Sequence, residues 1–251
     1  MKTYCLDLDG TMYRGTAIIE SAKAFLDHCL EKNIPFIFLT NNAMRTQDEN
    51  RIHMEKMGYT GIKNEMFYNS AMASCEFVRK NYEGNKVYYI GQSGLKEALL
   101  ENGFEISEEH PDFVFVGLNK NANYHDYSKA LSFLLGGAKL IGTNKDHILA
   151  SPNGFEMGNG AILAMFEFAS KQVSPDIAKP SPTMLELCME HFHLKKEDII
   201  LVGDNLETDI RLGQNTGVET IFVQTGIHTK EDIDRLGIFP TRVVNTLEEL
   251  I

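Results

Sequence analysis

The chain has 251 residues, a length that allows one large domain or two unequal ones and a sizeable apolar core. Hydrophobic residues make up 43% of the chain and charged residues 24%, which excludes the compositions of disordered and fibrous proteins. The formal net charge of −11 argues against nonspecific binding to nucleic acid or to an acidic membrane surface, so an anionic ligand needs a local positive site.

Short apolar runs rich in β-branched and aromatic residues alternate with amphipathic segments, the pattern of βα units with buried parallel strands. The predicted strands are Tyr4–Leu8, Pro35–Leu39, Lys86–Ile90, Phe113–Val116, Lys139–Gly142, Ile199–Val202, Thr220–Val223 and Arg242–Val244. The predicted helices are Ser21–Lys32, Thr46–Met57, Ala71–Asn81, Gly94–Asn102, Tyr124–Leu135, Gly158–Lys171, Pro182–His191 and Thr208–Thr216. The fold class is therefore α/β.

Two turn-rich stretches, Asn81–Asn85 and Gln172–Asp176, mark possible seams in the chain. The segment between them is long enough for an inserted α/β lobe. We predict a core domain built from residues 1–79 and 178–251, which form one sheet, and a smaller inserted domain at 80–177.

The run Asp7-Leu8-Asp9-Gly10-Thr11 lies where an apolar strand ends in a glycine turn. Residues two apart on a strand point the same way, so both carboxylates approach one point, where they repel unless a cation or a proton is shared. A hard divalent ion such as Mg²⁺ meets this requirement. A turn in which this run only caps a helix is the alternative.

A second apolar strand, Ile199–Val202, ends in Gly203-Asp204. The carboxyl ends of parallel strands share one edge of a sheet, so Asp204 is a candidate further metal ligand. Asp209 follows five residues later. It is either part of the same cluster or a helix N-terminal residue that accepts from backbone amides.

Two further segments offer groups that suit a phosphoryl ligand. Thr40, Asn41 and Asn42 follow a strand and could donate hydrogen bonds to phosphoryl oxygens, with a plain Asx turn as the alternative. Lys179 lies between alanine and proline before a helix, where its ammonium could offset the carboxylates, although most lysines are solvated.

The order and spacing of these four segments resemble the haloacid dehalogenase (HAD) superfamily. The matching residues are Asp7–Thr11, Thr40, Lys179 and Gly203–Asp209. The Leu-Thr-Asn-Asn form of the second segment and the large insertion resemble the NagD and 4-nitrophenylphosphatase subgroup, which implies a Rossmann-like core with an α/β cap. Asn205 departs from the pattern, because many members carry arginine there; this leaves the carboxylates intact and puts in doubt the contacts behind the metal.

The resemblance implies a phosphatase that works through a phospho-aspartate. Asp7 would be the nucleophile, and Asp9 would act as general acid and then as general base. Mg²⁺ would be held by Asp7, the backbone carbonyl of Asp9, and Asp204, with Asp209 behind it. Thr40, Asn41, Asn42 and Lys179 would hold the phosphoryl group.

The resemblance also places segments of the insertion at the active site. Asn144, Asp146 and Asn159 are therefore predicted to contact the leaving group of the substrate. The predicted partner is a small phosphorylated metabolite, with no nucleic acid and no membrane, and the oligomeric state stays open, with a homodimer as one option.

The four cysteines show no CxxC pair and the N-terminus shows no signal-peptide run, so we predict reduced thiols and a cytoplasmic protein. Two other classes of function stay open. One is a phosphorylatable receiver-like signalling protein, which also gathers strand-end aspartates and a lysine. The other is a binding protein that kept the HAD fold and lost activity.

Overall fold

A computed structural model describes residues 2–151 and 154–251. Its strands, in chain order, are β1 Thr3–Leu6, β2 Tyr13–Arg14, β3 Ala17–Ile18, β4 Phe36–Thr40, β5 Phe67–Asn69, β6 Lys86–Ile90, β7 Glu105–Ile106, β8 Phe113–Val116, β9 Lys139–Gly142, β10 Ile148–Ser151, β11 Gly154–Met157, β12 Ile199–Gly203, β13 Glu219–Val223 and β14 Arg242–Val244. Its α-helices are α1 Glu20–Lys32, α2 Gln47–Lys56, α3 Ser70–Asn81, α4 Ser93–Glu101, α5 Tyr124–Leu135, α6 Asn159–Ser170, α7 Pro182–His191, α8 Arg211–Thr216 and α9 Glu231–Leu236.

The described residues divide into two compact units. The first comprises residues 2–40, 47–68 and 179–251, and the second comprises 41–46, 69–151 and 154–178. The sequence-based boundaries lay at 79 and 178, so α3 and residues 41–46 are grouped with the insertion rather than with the flanking segments. The assignment of the units as a catalytic core and a cap stays a prediction.

The first unit contains a sheet in the order β14-β13-β12-β1-β4-β5. The pairings of β1 with β12 and β4, and of β13 with β12 and β14, are parallel. Strand β4 is apolar up to its final threonine, as expected for a strand that is covered on both faces, and all five of its residues are buried. Because β1, β4 and β12 are adjacent and parallel, the polar residues that follow them emerge at one edge of the sheet.

The second unit contains a parallel sheet in the order β7-β6-β8-β9 and a separate antiparallel hairpin, β10–β11. Leu134, Val114, Leu140 and Phe166 contribute to an apolar core between the sheet and the helices α5 and α6. Helix α5 begins with a capping box at Asn123, which satisfies backbone amides that the helix itself leaves unbonded. The predicted α/β class is confirmed in both units.

Most long helices and strands match their predicted ranges within two residues, whereas several short elements were not predicted. Helix α9, strand β5 and the hairpins β2–β3 and β10–β11 were not predicted. The single helix predicted at Thr208–Thr216 is wrong in part, because Leu206–Ile210 forms a π-helical turn that precedes α8. Across the described part of the chain, no helix combines the length and the apolar character needed to cross a membrane.

Candidate active site

Three aspartates cluster at the edge of the first sheet. Asp7 and Asp204 follow the adjacent strands β1 and β12, and Asp209 lies on the π-helical turn after β12. One carboxylate oxygen from each lies within 4.8 Å of the others. Asp204 thus lies beside Asp7 as expected, whereas the Asp9 side chain, which was expected to approach the same point, is not in this group.

Lys179 lies inside this acidic cluster. Its Nζ atom donates to Oδ1 of Asp7, to Oδ1 of Asp209 and to the carbonyl oxygen of Leu39, each at 2.7 Å. Its side chain is only 3% exposed, so it is not a solvated surface lysine. These bonds join the ammonium to one backbone carbonyl and two carboxylates, which links the end of β4 to the cluster.

The pKa values of the cluster reflect burial and mutual charge. Burial raises the pKa of Asp7 well above its usual range; Lys179 opposes the shift, and Asp209 and Asp204 add to it. Burial lowers the pKa of Lys179, but the carboxylates of Asp209 and Asp7 outweigh burial and raise it overall. The ammonium therefore stays charged at neutral pH, whereas the carboxylates need further compensation to ionise together.

Asp204 occupies a niche made largely by backbone. Its Oδ1 accepts from the Thr11 hydroxyl at 3.1 Å, and its Oδ2 accepts from the backbone N–H of Ile227 at 2.8 Å. A Cβ atom on Gly10 or Gly226 would lie 2.3 Å or 1.7 Å from Oδ2, so only glycine leaves room for this carboxylate. Gly10 also has a φ of +89°, which favours glycine independently.

The pKa of Asp204 is raised to about 7. Burial is the largest cause, and the Asp209 carboxylate adds to it, while the hydrogen bonds from Ile227 and Thr11 act in the opposite direction. A carboxyl group with such a pKa holds a proton in mildly acidic solution and ionises when a cation is supplied.

Asp7 and Asp9 differ sharply in exposure. The Asp7 side chain retains 14% of its surface, so it can meet a ligand, and Asp9 is exposed on the turn before the hairpin β2–β3. The side chain of Asp9 is not part of the three-carboxylate group, whose third member is Asp209. Roles for the Asp9 carboxyl group in proton transfer, and for its backbone carbonyl as a metal ligand, stay predictions.

Thr40 is buried at the end of β4, the strand next to β1. Asn42 accepts through Oδ1 from the backbone N–H of Met44 at 3.0 Å, which is the Asx turn considered as the alternative for this segment. The roles of Thr40 and Asn42 in phosphoryl binding stay predictions.

Within the second unit, Asn41 forms several hydrogen bonds. Its Nδ2 donates to Oδ1 of Asp146 at 3.0 Å, and its carbonyl oxygen accepts from Asn144 Nδ2 at 2.9 Å and from Ser70 Oγ at 2.6 Å. These bonds connect residues 41–46 to the loop after β9. A role for Asn41, Asn144 or Asp146 in substrate contact stays a prediction beside this observed structural role.

Asn159 is 2% exposed and lies at the start of α6. Its Nδ2 contacts the carbonyl oxygens of Val116 at 3.0 Å and Asn144 at 3.1 Å, so it joins the end of β8 to the loop after β9. These bonds give Asn159 a structural role within the second unit, and its predicted substrate contact stays a prediction.

Asn205 starts the π-helical turn. Its Oδ1 accepts from the backbone N–H of Glu207 at 2.9 Å, and its own N–H donates to Oδ2 of Asp209 at 3.2 Å. Asn205 thus supports the turn that carries Asp209. Asn205, in place of the arginine that many family members carry, therefore affects the surroundings of Asp209 and leaves the three carboxylates in place.

Sequence reasoning missed the segment Thr225–His228, which follows β13 and contacts Asp204 through Ile227. Two of its contacts, through the Thr225 carbonyl oxygen and the Ile227 N–H, use backbone atoms, which leave no residue signature. The only signal was another strand that ends in a polar and glycine pair, Thr225-Gly226, at the same edge of the sheet.

The residues present fit a hard divalent cation. Three carboxylates and one ammonium leave a formal charge of −2 when all are ionised, and the donors are oxygens, as Mg²⁺ prefers. The two oxygens of Asp204 already accept hydrogen bonds that fix their orientation. One bound divalent ion would neutralise the charge that burial makes unfavourable.

The fold and the site together place three clustered carboxylates and a buried lysine at the carboxyl edge of a parallel sheet in an α/β protein. The chain matches the family model for haloacid dehalogenase-like hydrolase over residues 4–105 and the HAD-hydrolase-like model over residues 176–250. It belongs to the haloacid dehalogenase-like hydrolases.

Relatives and solved structures agree with this assignment. The chain is 36% identical to the acid sugar phosphatase of Staphylococcus saprophyticus, an alignment that covers 100% of this chain and 96% of that protein. It superposes on the 4-nitrophenylphosphatase of Thermotoga maritima with a TM-score of 0.92 and 31% identity, over 100% of this chain and 96% of that one. For NagD from E. coli K-12 the TM-score is 0.90 at 32% identity, over 99% and 98%.

The resemblance to the NagD and 4-nitrophenylphosphatase subgroup is thus confirmed, and so is the enzyme class of phosphoric monoester hydrolase. The receiver-like and inactive readings of the sequence are not supported by these relatives.

Proposed function

We propose that this chain is a Mg²⁺-dependent phosphatase that hydrolyses a small phosphate monoester through a phospho-aspartate on Asp7. The observation that supports this most directly is the buried ammonium of Lys179 between the carboxylates of Asp7 and Asp209. It holds the nucleophile in place and supplies positive charge beside the position where an anionic phosphoryl group would react.

Asp7, Asp204 and the backbone carbonyl of Asp9 would hold the cation, with Asp209 behind them. When bound, Mg²⁺ supplies neutralising charge for the phosphoryl oxygens. Thr11 and Ile227 keep the Asp204 carboxylate in one orientation through their hydrogen bonds.

In the first step a carboxylate oxygen of Asp7 attacks phosphorus, and the bond from phosphorus to the substrate oxygen breaks. The protonated carboxyl group of Asp9 gives its proton to the departing oxygen, which leaves as an alcohol. In the second step water attacks the phosphorus of the acyl phosphate and gives a proton to the Asp9 carboxylate. The bond between phosphorus and Asp7 breaks, and inorganic phosphate leaves.

We propose a sugar phosphate as the substrate class. The support comes from the staphylococcal relatives, which are acid sugar phosphatases 36–38% identical to this chain over its whole length. Thr40, Asn41, Asn42 and Lys179 remain our proposed ligands of the phosphoryl group, and Asn144, Asp146 and Asn159 our proposed contacts for the leaving group.

We also propose a cytoplasmic location. All four cysteines, Cys5, Cys29, Cys75 and Cys188, are buried free thiols. Burial raises the pKa of Cys5 to about 12, so its thiol stays protonated and unreactive. Such cysteines are typical of proteins that fold in a reducing compartment.

The test is a screen of sugar phosphates, nucleotides and 4-nitrophenyl phosphate, each with Mg²⁺ and with excess chelator. We expect release of phosphate only with the metal, and a preference for sugar phosphates. Brief incubation with ³²P-labelled substrate, followed by denaturation, should leave label on the protein that hydroxylamine removes, as expected for an acyl phosphate. Full activity after chelation, or label that resists hydroxylamine, would contradict the proposal.

A further inference from the structure

The segment Thr225–His228, called the bridging segment below, follows β13 at the edge of the sheet where the aspartates cluster. It lies within the first unit and contacts two separate loops of that unit, one after β1 and one after β12. None of its residues is assigned a step in the proposed reaction.

The bridging segment is tied to the loop after β1 at its first residue. The Thr225 hydroxyl donates to the carbonyl oxygen of Gly10 at 2.8 Å. The Nε atom of Arg14, on β2, donates to the carbonyl oxygen of Thr225 at 2.7 Å. The side chain and the carbonyl oxygen of Thr225 therefore bond to the turn after Asp9 and to strand β2, respectively.

The segment is tied to the loop after β12 at its other end. The Ile227 N–H donates to Oδ2 of Asp204, and Nδ1 of His228 accepts from the backbone N–H of Leu206 at 3.2 Å. Gly226 packs so closely on Asp204 that a Cβ atom would overlap the carboxylate. Because His228 directly follows Ile227 and bonds to Leu206, it helps to fix the position of the Ile227 N–H relative to Asp204.

The His228 ring attaches the end of the bridging segment to the loop after β12. Only 8% of the residue is exposed, and its ring accepts a backbone N–H two residues beyond Asp204. Its other nitrogen, Nε2, lies 3.7 Å from Oε2 of Glu207, which favours the tautomer with hydrogen on Nε2 and a lone pair on Nδ1. The His228 ring and the Asp204 carboxylate therefore each accept a backbone hydrogen bond that joins the bridging segment to the loop after β12.

We propose that His228 is a positioning residue for Asp204: by accepting from Leu206 it fixes the bridging segment, which holds the Asp204 carboxylate in the orientation that binds a divalent cation. This inference rests on the proposed function. Residues behind metal ligands set the orientation and basicity of those ligands, and their loss weakens metal binding without removing a ligand.

The test compares His228→Leu with His228→Asn. Leucine fills similar volume and offers no acceptor, whereas the Oδ1 atom of asparagine can occupy the place of Nδ1. Titration calorimetry with Mg²⁺ alone, without substrate, measures the dissociation constant. We expect His228→Leu to weaken Mg²⁺ binding by about 10- to 100-fold and His228→Asn to stay close to the unmodified protein.

Ile238→Val is the control for a general loss of stability. Ile238 is fully buried in the apolar cluster that includes Leu206 and Phe222, and its side chain has no hydrogen-bonding group. We expect this variant to lower the melting temperature slightly and to leave the Mg²⁺ dissociation constant unchanged.

Unchanged Mg²⁺ binding in His228→Leu, or equal weakening in His228→Leu and His228→Asn, would overturn the inference while the phosphatase proposal stands. Absence of Mg²⁺ binding in the unmodified protein would instead contradict the proposed function. If His228→Leu does not fold, the pair Thr225→Val and Thr225→Ser tests the other end of the segment. Valine should weaken Mg²⁺ binding and serine should retain it, and equal binding in the two would overturn the inference.

Discussion

The Nζ atom of Lys179 lies 2.7 Å from Oδ1 of Asp7 and at the same distance from Oδ1 of Asp209. One ammonium thus neutralises part of the charge on two carboxylates that are far apart in the sequence. Because its side chain is 3% exposed, water cannot take its place without rearrangement of the cluster. Lys179 therefore contributes to the stability of the fold as well as to the proposed reaction.

Replacing Lys179 with methionine should lower the free energy of unfolding of the metal-free protein by about 3–5 kcal/mol, because two buried carboxylates lose their counter-ion. Urea unfolding in the presence of chelator at neutral pH measures this loss. A second change, Asp209→Asn in the Lys179→Met background, should recover part of it, because one uncompensated charge is removed.

The matched control for this prediction is Lys63→Met. The Lys63 side chain is 67% exposed and its ion pair with Glu65 spans 4.0 Å. We expect a change below about 1 kcal/mol there. A loss in Lys179→Met no larger than in Lys63→Met would mean that the buried pairs contribute nothing to stability.

Asp7→Asn should abolish turnover while the fold is retained. The amide keeps the shape of the side chain and can still accept from Lys179, but it is not a nucleophile and is a poor ligand for Mg²⁺. We expect loss of phosphate release by more than about 10³-fold, with no ³²P label left on the denatured protein. Circular dichroism and the melting temperature check the fold, and turnover near that of the unmodified enzyme would remove Asp7 as the nucleophile.

Asp9→Asn should affect substrates according to their leaving groups. The 4-nitrophenolate ion leaves with little help from an acid, whereas an alkyl alcohol needs a proton. The variant should therefore still transfer the phosphoryl group from 4-nitrophenyl phosphate to Asp7, with label accumulating because the second step lacks its base. A sugar phosphate should give almost no label. Equal loss of label from both substrates would count against Asp9 as the acid.

Asp7, Asp204 and Lys179 could be predicted from the sequence. Each aspartate follows a buried strand and the lysine precedes a helix, and the order of these segments along the chain is recognisable. Asp7 and Asp204 are such cases: adjacent parallel strands bring them to the same edge of the sheet. The pairing of Asp209 with Lys179 was left open, since a π-helical turn, rather than the start of a regular helix, carries Asp209.

Features that depend on backbone atoms could not be predicted in this way. Ile227 bonds to Asp204 through its N–H, which every residue except proline possesses, so the residue type gives no signal. The hairpin β2–β3 is also short, with two residues in each strand, too few for a periodic pattern.

Mg²⁺ affinity should depend on pH through Asp204, whose pKa is raised to about 7. The metal binds the ionised carboxylate, so affinity should fall by at least about tenfold for each pH unit below 7, and the raised pKa of Asp7 should add to this dependence. Titration calorimetry across this range, in buffers of different ionisation enthalpy, should also show proton release on binding. Affinity that is flat between about pH 5.5 and pH 8 would contradict a raised pKa for this group.

The same pKa sets the sign of a stability effect in the metal-free protein. A folded-state pKa above the unfolded value of about 3.9 means that the folded protein holds a proton which the unfolded chain has released. This contribution to the free energy of unfolding is full below about pH 4 and is lost as the pH rises through about 7. Asp204→Asn should reduce that slope in urea unfolding in chelator, with the remainder coming from Asp7, whose pKa is also raised, and an unchanged slope would contradict a contribution from Asp204.

The final prediction concerns Asn159 and Asp146 in the second unit. Asn159→Ala leaves the buried carbonyl oxygens of Val116 and Asn144 without their side-chain donor, so the free energy of unfolding should fall by about 1–3 kcal/mol. Asn81→Ala is the matched control, because the bond from Asn81 to the Phe77 carbonyl is exposed and its loss should cost much less.

Asp146→Ala should act differently from Asn159→Ala, because Asp146 is only partly buried and its side chain accepts a hydrogen bond from Asn41. If Asp146 contacts the leaving group, as we propose, kcat/KM for sugar phosphates should change relative to one another more than kcat/KM for 4-nitrophenyl phosphate, which offers few polar groups. Asp146→Asn keeps the oxygen that Asn41 binds and removes the charge, so it separates the two roles. A common factor for every substrate in both Asp146 variants would mean that Asp146 only supports residues 41–46, and that substrate preference arises from other side chains.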